Sequence, residues 1–206
     1  MQIYRRVMIA LVAVAMVLAA APAFAQGAGQ AQVNSGFGIG ALGGFTWTQP
    51  STDDVGVTEA KAGYVFGLWF GGNRDSRAGL GAEVNYLVKK VSLAGQDQKL
   101  TYLQVFVPFD VRFGYREKNK PNGYIVVGPN FDINFKAQSG DNSVDDVYGG
   151  LGIGLTVGAG VEAARVGAEV RYSWGLKNAL QTDENIGTIG DVKFNTLSVV
   201  FKVRFN

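Results

Sequence analysis

From Phe37 to Phe205 the chain alternates between bulky apolar side chains and small or polar ones. A period of two belongs to β-strands whose two faces meet different surroundings. No segment in that range carries the 3.6-residue period of an amphipathic helix, and no apolar run approaches the length of a spanning helix. In the first segment Phe37, Ile39, Ala41, Phe45 and Trp47 share one parity, with Gly38, Gly40, Gly44, Thr46 and Thr48 on the other. The pattern recurs over Tyr64–Phe70, Leu80–Val88, Leu103–Tyr115, Ile125–Phe135, Leu151–Val161, Val166–Trp174 and Leu197–Phe205. These make eight strands of about ten residues or more, the length a tilted strand needs to cross a bilayer.

The connections take turns. Gln49–Ala60, Val91–Gln98, Ala137–Val147 and Lys177–Val192 read as longer loops, and Gly72–Ala78, Glu117–Asn122 and Ala163–Arg165 as short turns. Long and short alternate strictly, which predicts an all-β fold: an eight-stranded antiparallel up-and-down transmembrane β-barrel occupying residues 36–206. Both termini are then expected on the periplasmic side, with the long loops outside. Pro108 and Pro129 fall inside strands, where a missing N–H donor is unwelcome. The alternation passes through both without changing parity.

A soluble eight-stranded carrier would turn its apolar face inward. Here that packing fails on volume. The chain has 29 glycines, about twice the usual share, and at least 17 of them lie on the polar parity. Eight strands enclose a space just wide enough for side chains to fill. Bulky residues turned inward would overfill it and leave a glycine-lined exterior. Charge gives the same answer, since each Lys or Arg facing mid-bilayer costs roughly 2–4 kcal/mol. The apolar face therefore meets lipid. Its aromatic residues gather near strand ends, with Trp47, Tyr64, Tyr86, Phe135, Tyr172 and Trp174 at one rim and Phe37, Phe70, Phe113, Tyr115 and Phe205 at the other.

The inward parity then holds Glu83, Asp110, Arg112, Asp132, Glu169, Arg171, Lys202 and Arg204. We expect these to pair as a polar plug, Glu83 with Arg112 and Glu169 with Lys202 or Arg204, with Asp110 and Asp132 near the same level. The glycine-rich segment Gly150–Gly160 is the one feature favouring an unfilled wall and a narrow passage.

Residues 1–25 read differently. Arg5 and Arg6 precede an apolar run from Val7 to Ala21, and Pro22-Ala23-Phe24-Ala25 offers small residues for cleavage after Ala25. This is the pattern of a secretory signal peptide rather than a membrane helix. Residues 26–35 become a short periplasmic tail. Removing the two arginines leaves 17 basic residues against 17 acidic, so the mature chain is neutral and no nucleic-acid partner is expected. Cys and His are both absent, which excludes disulfides, zinc ribbons, iron–sulfur clusters and every catalytic or metal site that depends on imidazole. Glu83, Asp110 and Asp132 could in principle supply a carboxylate pair for hydrolysis, but lumen salt bridges beside Arg112 are the better reading of them. Asp141–Asp146 has clustered acids yet lacks the Gly and Glu of a calcium loop. No catalytic, metal or cofactor site is expected.

Five segments resemble a known family. TYLQVFVPFDVRF (Thr101–Phe113), GYIVVGP (Gly123–Pro129), GAGVE (Gly158–Glu162), EVRYSWGL (Glu169–Leu176) and FKVRF (Phe201–Phe205) are similar to strands of PorT-type outer-membrane β-barrel proteins. The likeness runs from about Gly36 to Phe205 and departs at Asn206, which follows the aromatic residue that assembly signals usually place last. It implies a Gram-negative outer membrane, contact with its lipid and with the barrel-assembly machinery, and no particular activity. The function expected is a non-enzymatic surface barrel with a closed lumen, acidic loops and an unknown loop partner. The alternative is a narrow channel or transporter for small or apolar solutes.

Overall fold

A computed structural model describes residues 38–51, 59–71, 77–93, 96–113, 120–139, 142–143, 150–177, 179 and 192–205. The leader with its cleavage site at Ala25, the tail at 26–35, Phe37, Tyr115 and the acids Asp53, Asp54, Asp141, Asp145, Asp146, Asp183, Glu184 and Asp191 lie outside those residues.

The described residues form strands β1 (Gly38–Ser51), β2 (Glu59–Gly71), β3 (Ala78–Leu93), β4 (Gln96–Phe106), β5 (Phe109–Arg112), β6 (Asn122–Ser139), β7 (Asn142–Ser143), β8 (Leu151–Ala163), β9 (Val166–Gly175) and β10 (Lys193–Arg204). All pairings are antiparallel, and β1 pairs with both β2 and β10, which closes the sheet. β4 and β5 are two pieces of one wall between β3 and β6, and β7 pairs only with the end of β6. The result is an eight-stranded barrel.

The alternation read from the sequence is the alternation of its walls. Phe45, Phe66, Leu68, Val111, Ile125, Val161, Val170, Phe201 and Val203 are exposed on the outside. On β2 and β3 the rings of Phe66 and Tyr86 stack at 4.9 Å, and Tyr172 meets Trp174 edge-on at 4.8 Å. Closing the ring leaves none of the eight walls with an open side, as hydrocarbon demands.

Both prolines sit at one interruption. β4 stops at Phe106 and β5 resumes at Phe109, with Glu83↔Phe106 and Leu80↔Phe109 keeping the register unshifted across the gap. Pro108 still accepts from Gly81 N at 2.8 Å, and Pro129 accepts from Val107 N at 3.1 Å. The missing N–H groups thus fall where the ladder is already broken. Gly128 makes this approach feasible, because a Cβ there would stand 1.9 Å from Val107 O.

Three expectations about the loop end change. β3 and β4 run on to Leu93 and Gln96, so most of Val91–Gln98 is strand rather than loop. β6 likewise continues through Ala137 to Ser139. A register shift beside Thr101/Tyr102 makes Phe135 the extra residue of a bulge, so the parity flips and Lys136 is exposed while Ala137 is buried. Period-two counting cannot see such an insertion. The described loop end is also not uniformly acidic, since Lys90, Lys99 and Lys136 are exposed on its strands beside Glu59 and Asp97.

Candidate functional site

The inward parity of each strand carries the lumen. β3 and β9 stand on opposite walls, four positions apart around the ring, and they bring Glu83 and Arg171 together. The Arg171 guanidinium donates from Nη1 to Glu83 Oε2 and from Nη2 to Glu83 Oε1, both at 2.7 Å. A second pair closes the square. Lys202 of β10 lies 2.8 Å from Glu83 and 2.5 Å from Glu169, and Arg171 also bonds Glu169. Two acids and two bases thus balance, and both carboxylates are only 1% exposed. Charges taken this far from water need partners on every side. Tyr124 of β6 donates its hydroxyl to Glu169 at 2.5 Å, and the guanidinium lies 4.9 Å from the Phe106 ring centre.

Glycine makes room for this cluster. On β8 a Cβ at Gly160 would stand 2.6 Å from Glu169 Cγ and 2.8 Å from Tyr124 Cζ, and one at Gly158 would stand 3.0 Å from Arg171 Cγ. The glycine-rich wall is covered by side chains from the neighbouring strands β6 and β9.

The expected pairings fare unequally. Glu169 does meet Lys202, which sits diagonally across from it because Lys202 pairs with Gly167 in register. Arg204 instead bonds Ala164 O at 2.9 Å near the terminal end. Glu83 and Arg112 do not meet. Glu83 is opposite Phe106, whereas Arg112 lies past the Ala78↔Val111 pair, about 20 Å further along β3 at ~3.3 Å per residue. Arg112 joins Glu162 at 3.4 Å and Asp110 at 3.9 Å. Asp110 and Asp132 are also at different levels, since their register partners are Val126 and Gln104.

Asp132 belongs to a second cluster that the sequence reading missed. Lys89 binds its Oδ2 at 2.7 Å and Gln104 donates to Oδ1 at 2.8 Å. Asn130 accepts from Thr156 at 3.0 Å. Asn85 links the two clusters, donating toward Glu83 at 3.4 Å and Gln104 at 3.3 Å. Toward the loop end the lumen turns apolar, with Leu87, Val91, Leu100, Tyr102, Ala137, Val192 and Phe194 packed together. Small spaces remain among the described residues. One of about 50 Å³ lies at the terminal end beside Asp110, Arg112 and Lys202, and one of about 40 Å³ lies beside Lys89 and Asp132. Each has room for a few water molecules. Tyr124 and Lys89 were both visible as large residues on the inward parity, and that was the signal available for them.

Residues 24–181 match the family model of the outer membrane protein β-barrel domain. The chain belongs to that family. As a member of the outer membrane protein β-barrel domain family it resides in the outer membrane of a Gram-negative bacterium. Curated proteins give no match in sequence. Among solved structures, Neisserial surface protein A aligns at 16% identity and TM-score 0.52, covering 84% of this chain and 99% of that one. Ail, the attachment invasion locus protein of Yersinia pestis, solved with the heparin analogue sucrose octasulfate, aligns at 15% identity and TM-score 0.45, covering 82% and 99%. The outer membrane enzyme PagL aligns at 13% identity and TM-score 0.43, covering 82% and 99%. At these identities the likeness is one of fold.

Proposed function

We propose that this member of the family is a non-enzymatic surface barrel whose lumen is closed to solutes and whose loop end makes its contacts outside the cell. One observation carries the reading: Glu83, Arg171, Lys202 and Glu169 join opposite walls of the barrel. The packed apolar residues toward the loop end, Leu87 to Phe194, supply a second barrier. The absence of any His supports the non-enzymatic reading, as does the engagement of Glu83, Asp110 and Asp132 by cations.

In this reading the leader is cut after Ala25, the barrel-assembly machinery inserts residues 36–206, and both termini face the periplasm. Strands β4, β6, β8, β9 and β10 carry the PorT-type segments, so the finer membership is proposed with it. The small cavities on either side of the ion cluster favour the alternative, a narrow passage for small or apolar solutes. Swelling of proteoliposomes in an isotonic sugar solution tests the choice. Swelling no faster than protein-free vesicles is expected, and rapid swelling supports the passage.

A further inference from the structure

Beyond the lumen, the register brings lysines together on the lipid face of the barrel. Lys90 of β3 is paired directly with Lys99 of β4, and Lys99 is two residues from Thr101, the register partner of Lys136 on β6. Directly opposed residues share a face of the sheet. It is the face of Tyr86, because β3 and β4 pair without a shift from Glu83↔Phe106 to Leu93↔Gln96. All three lysines are exposed, and no acid pairs with them among the described residues. Lys61, the partner of Lys90 on β2, is instead bound to Asp97. Glu59 and Asp97 stand toward the loop end of this patch, leaving it net positive.

Like charges placed directly opposite one another destabilise a strand pair. The height of the patch supplies what would offset that cost. Lys90 follows Tyr86 by four residues along the strand, about 10 Å toward the loop end once strand tilt is allowed for. The rings of Tyr64, Phe66 and Tyr86 stack below it, and such aromatic belts sit at headgroup depth. Rooted outside that belt, the flexible lysine side chains can reach back toward the lipid phosphates. Opposed strand residues are about 5 Å apart and diagonal ones 7–8 Å, close enough for one phosphate to meet two ammonium groups.

We infer that Lys90, Lys99 and Lys136 form a binding surface for the phosphate groups of anionic membrane lipid. The inference needs only the lipid-facing belt and is independent of whether the lumen conducts.

The chain has no Cys, so a single label can be placed at Gln138→Cys, the residue paired with Lys99. The labelled barrel would be refolded into phosphatidylcholine vesicles containing a trace of tail-labelled phosphatidic acid, or of phosphatidylcholine carrying the same acceptor. Energy transfer should show phosphatidic acid enriched at least about fivefold, a factor equivalent to the attraction of one lysine. Lys90→Gln with Lys99→Gln and Lys136→Gln should abolish the enrichment, while the triple Arg variant retains it. Heat-modifiable gel migration checks that each variant is folded. Equal transfer from both lipids in the unsubstituted barrel would overturn the inference, as would enrichment that survives the triple Gln change. Displacement of the lipid by inorganic phosphate would also overturn it, because the surface would then be a site for free anion.

Discussion

Arg171 and Glu83, 88 residues apart in sequence, face each other across the lumen through two parallel 2.7 Å hydrogen bonds. Their strands are not neighbours, so no backbone pairing holds them together. Side chains alone join these two walls.

Removing Arg171 should therefore be severe. Arg171→Ala leaves Glu83 and Glu169 with Lys202 as their one remaining cation in the cluster, a loss of roughly 3–5 kcal/mol. Glu83→Gln combined with Arg171→Met keeps Lys202 paired with Glu169 and should lose less. Arg112→Ala should also lose less, because its partners Glu162 and Asp110 are 15% and 21% exposed at the terminal mouth. Equilibrium urea unfolding in lipid vesicles gives the ranking, and an unchanged midpoint for Arg171→Ala would contradict the pairing.

Tyr124→Phe removes a hydroxyl that donates to the buried Glu169 carboxylate. Hydrogen bonds to charged groups contribute about 1.5–3 kcal/mol, and the same unfolding measurement should register a loss in that range. No change would mean that Glu169 is satisfied without Tyr124.

Glycine on the two faces should behave oppositely. Gly160→Ala places a methyl group 2.6 Å from Glu169 Cγ and 2.8 Å from Ala168 O, overpacking that costs about 1–3 kcal/mol. Gly43→Ala, whose Cβ would meet only Val65 O at 3.8 Å, should be nearly neutral. Comparing the folded fractions of the two variants by gel mobility after refolding checks the assignment of faces.

At the loop end, the hydrogen bond from Lys61 holds the Asp97 carboxyl below the usual aspartate range, and its positive charge adds to the effect. A depressed carboxyl contributes stability above its unfolded pKa and loses it as pH falls through the folded value. Asp97 is exposed, so solvent screening keeps the effect on stability small. The titration itself is the readout. Carboxyl NMR should show Asp97 titrating low, and Lys61→Gln should move it back up.

The strands and their faces were legible because side-chain period and environment are linked by the pleat. Depth was not. Glu83 and Arg112 both have inward parity on strands of the same wall region, yet only the register reveals that their backbones lie about 20 Å apart along the wall. The reach from β3 to β9 is set by barrel closure, which no local pattern encodes. The bulge at Phe135 hid Lys136 on the wrong face, and the extension of β3 and β4 past the aromatic rim hid the lysine pair. The apolar packing inside was hidden too, because Leu87, Leu100 and Phe194 sit on a parity read chiefly for its glycines and charges.

The central claim is that the ion cluster and the apolar packing toward the loop end close the lumen. Planar-bilayer recording of single refolded barrels tests it most directly. The account predicts a silent membrane with the unsubstituted protein. Steady, reproducible conductance steps from that protein would contradict it.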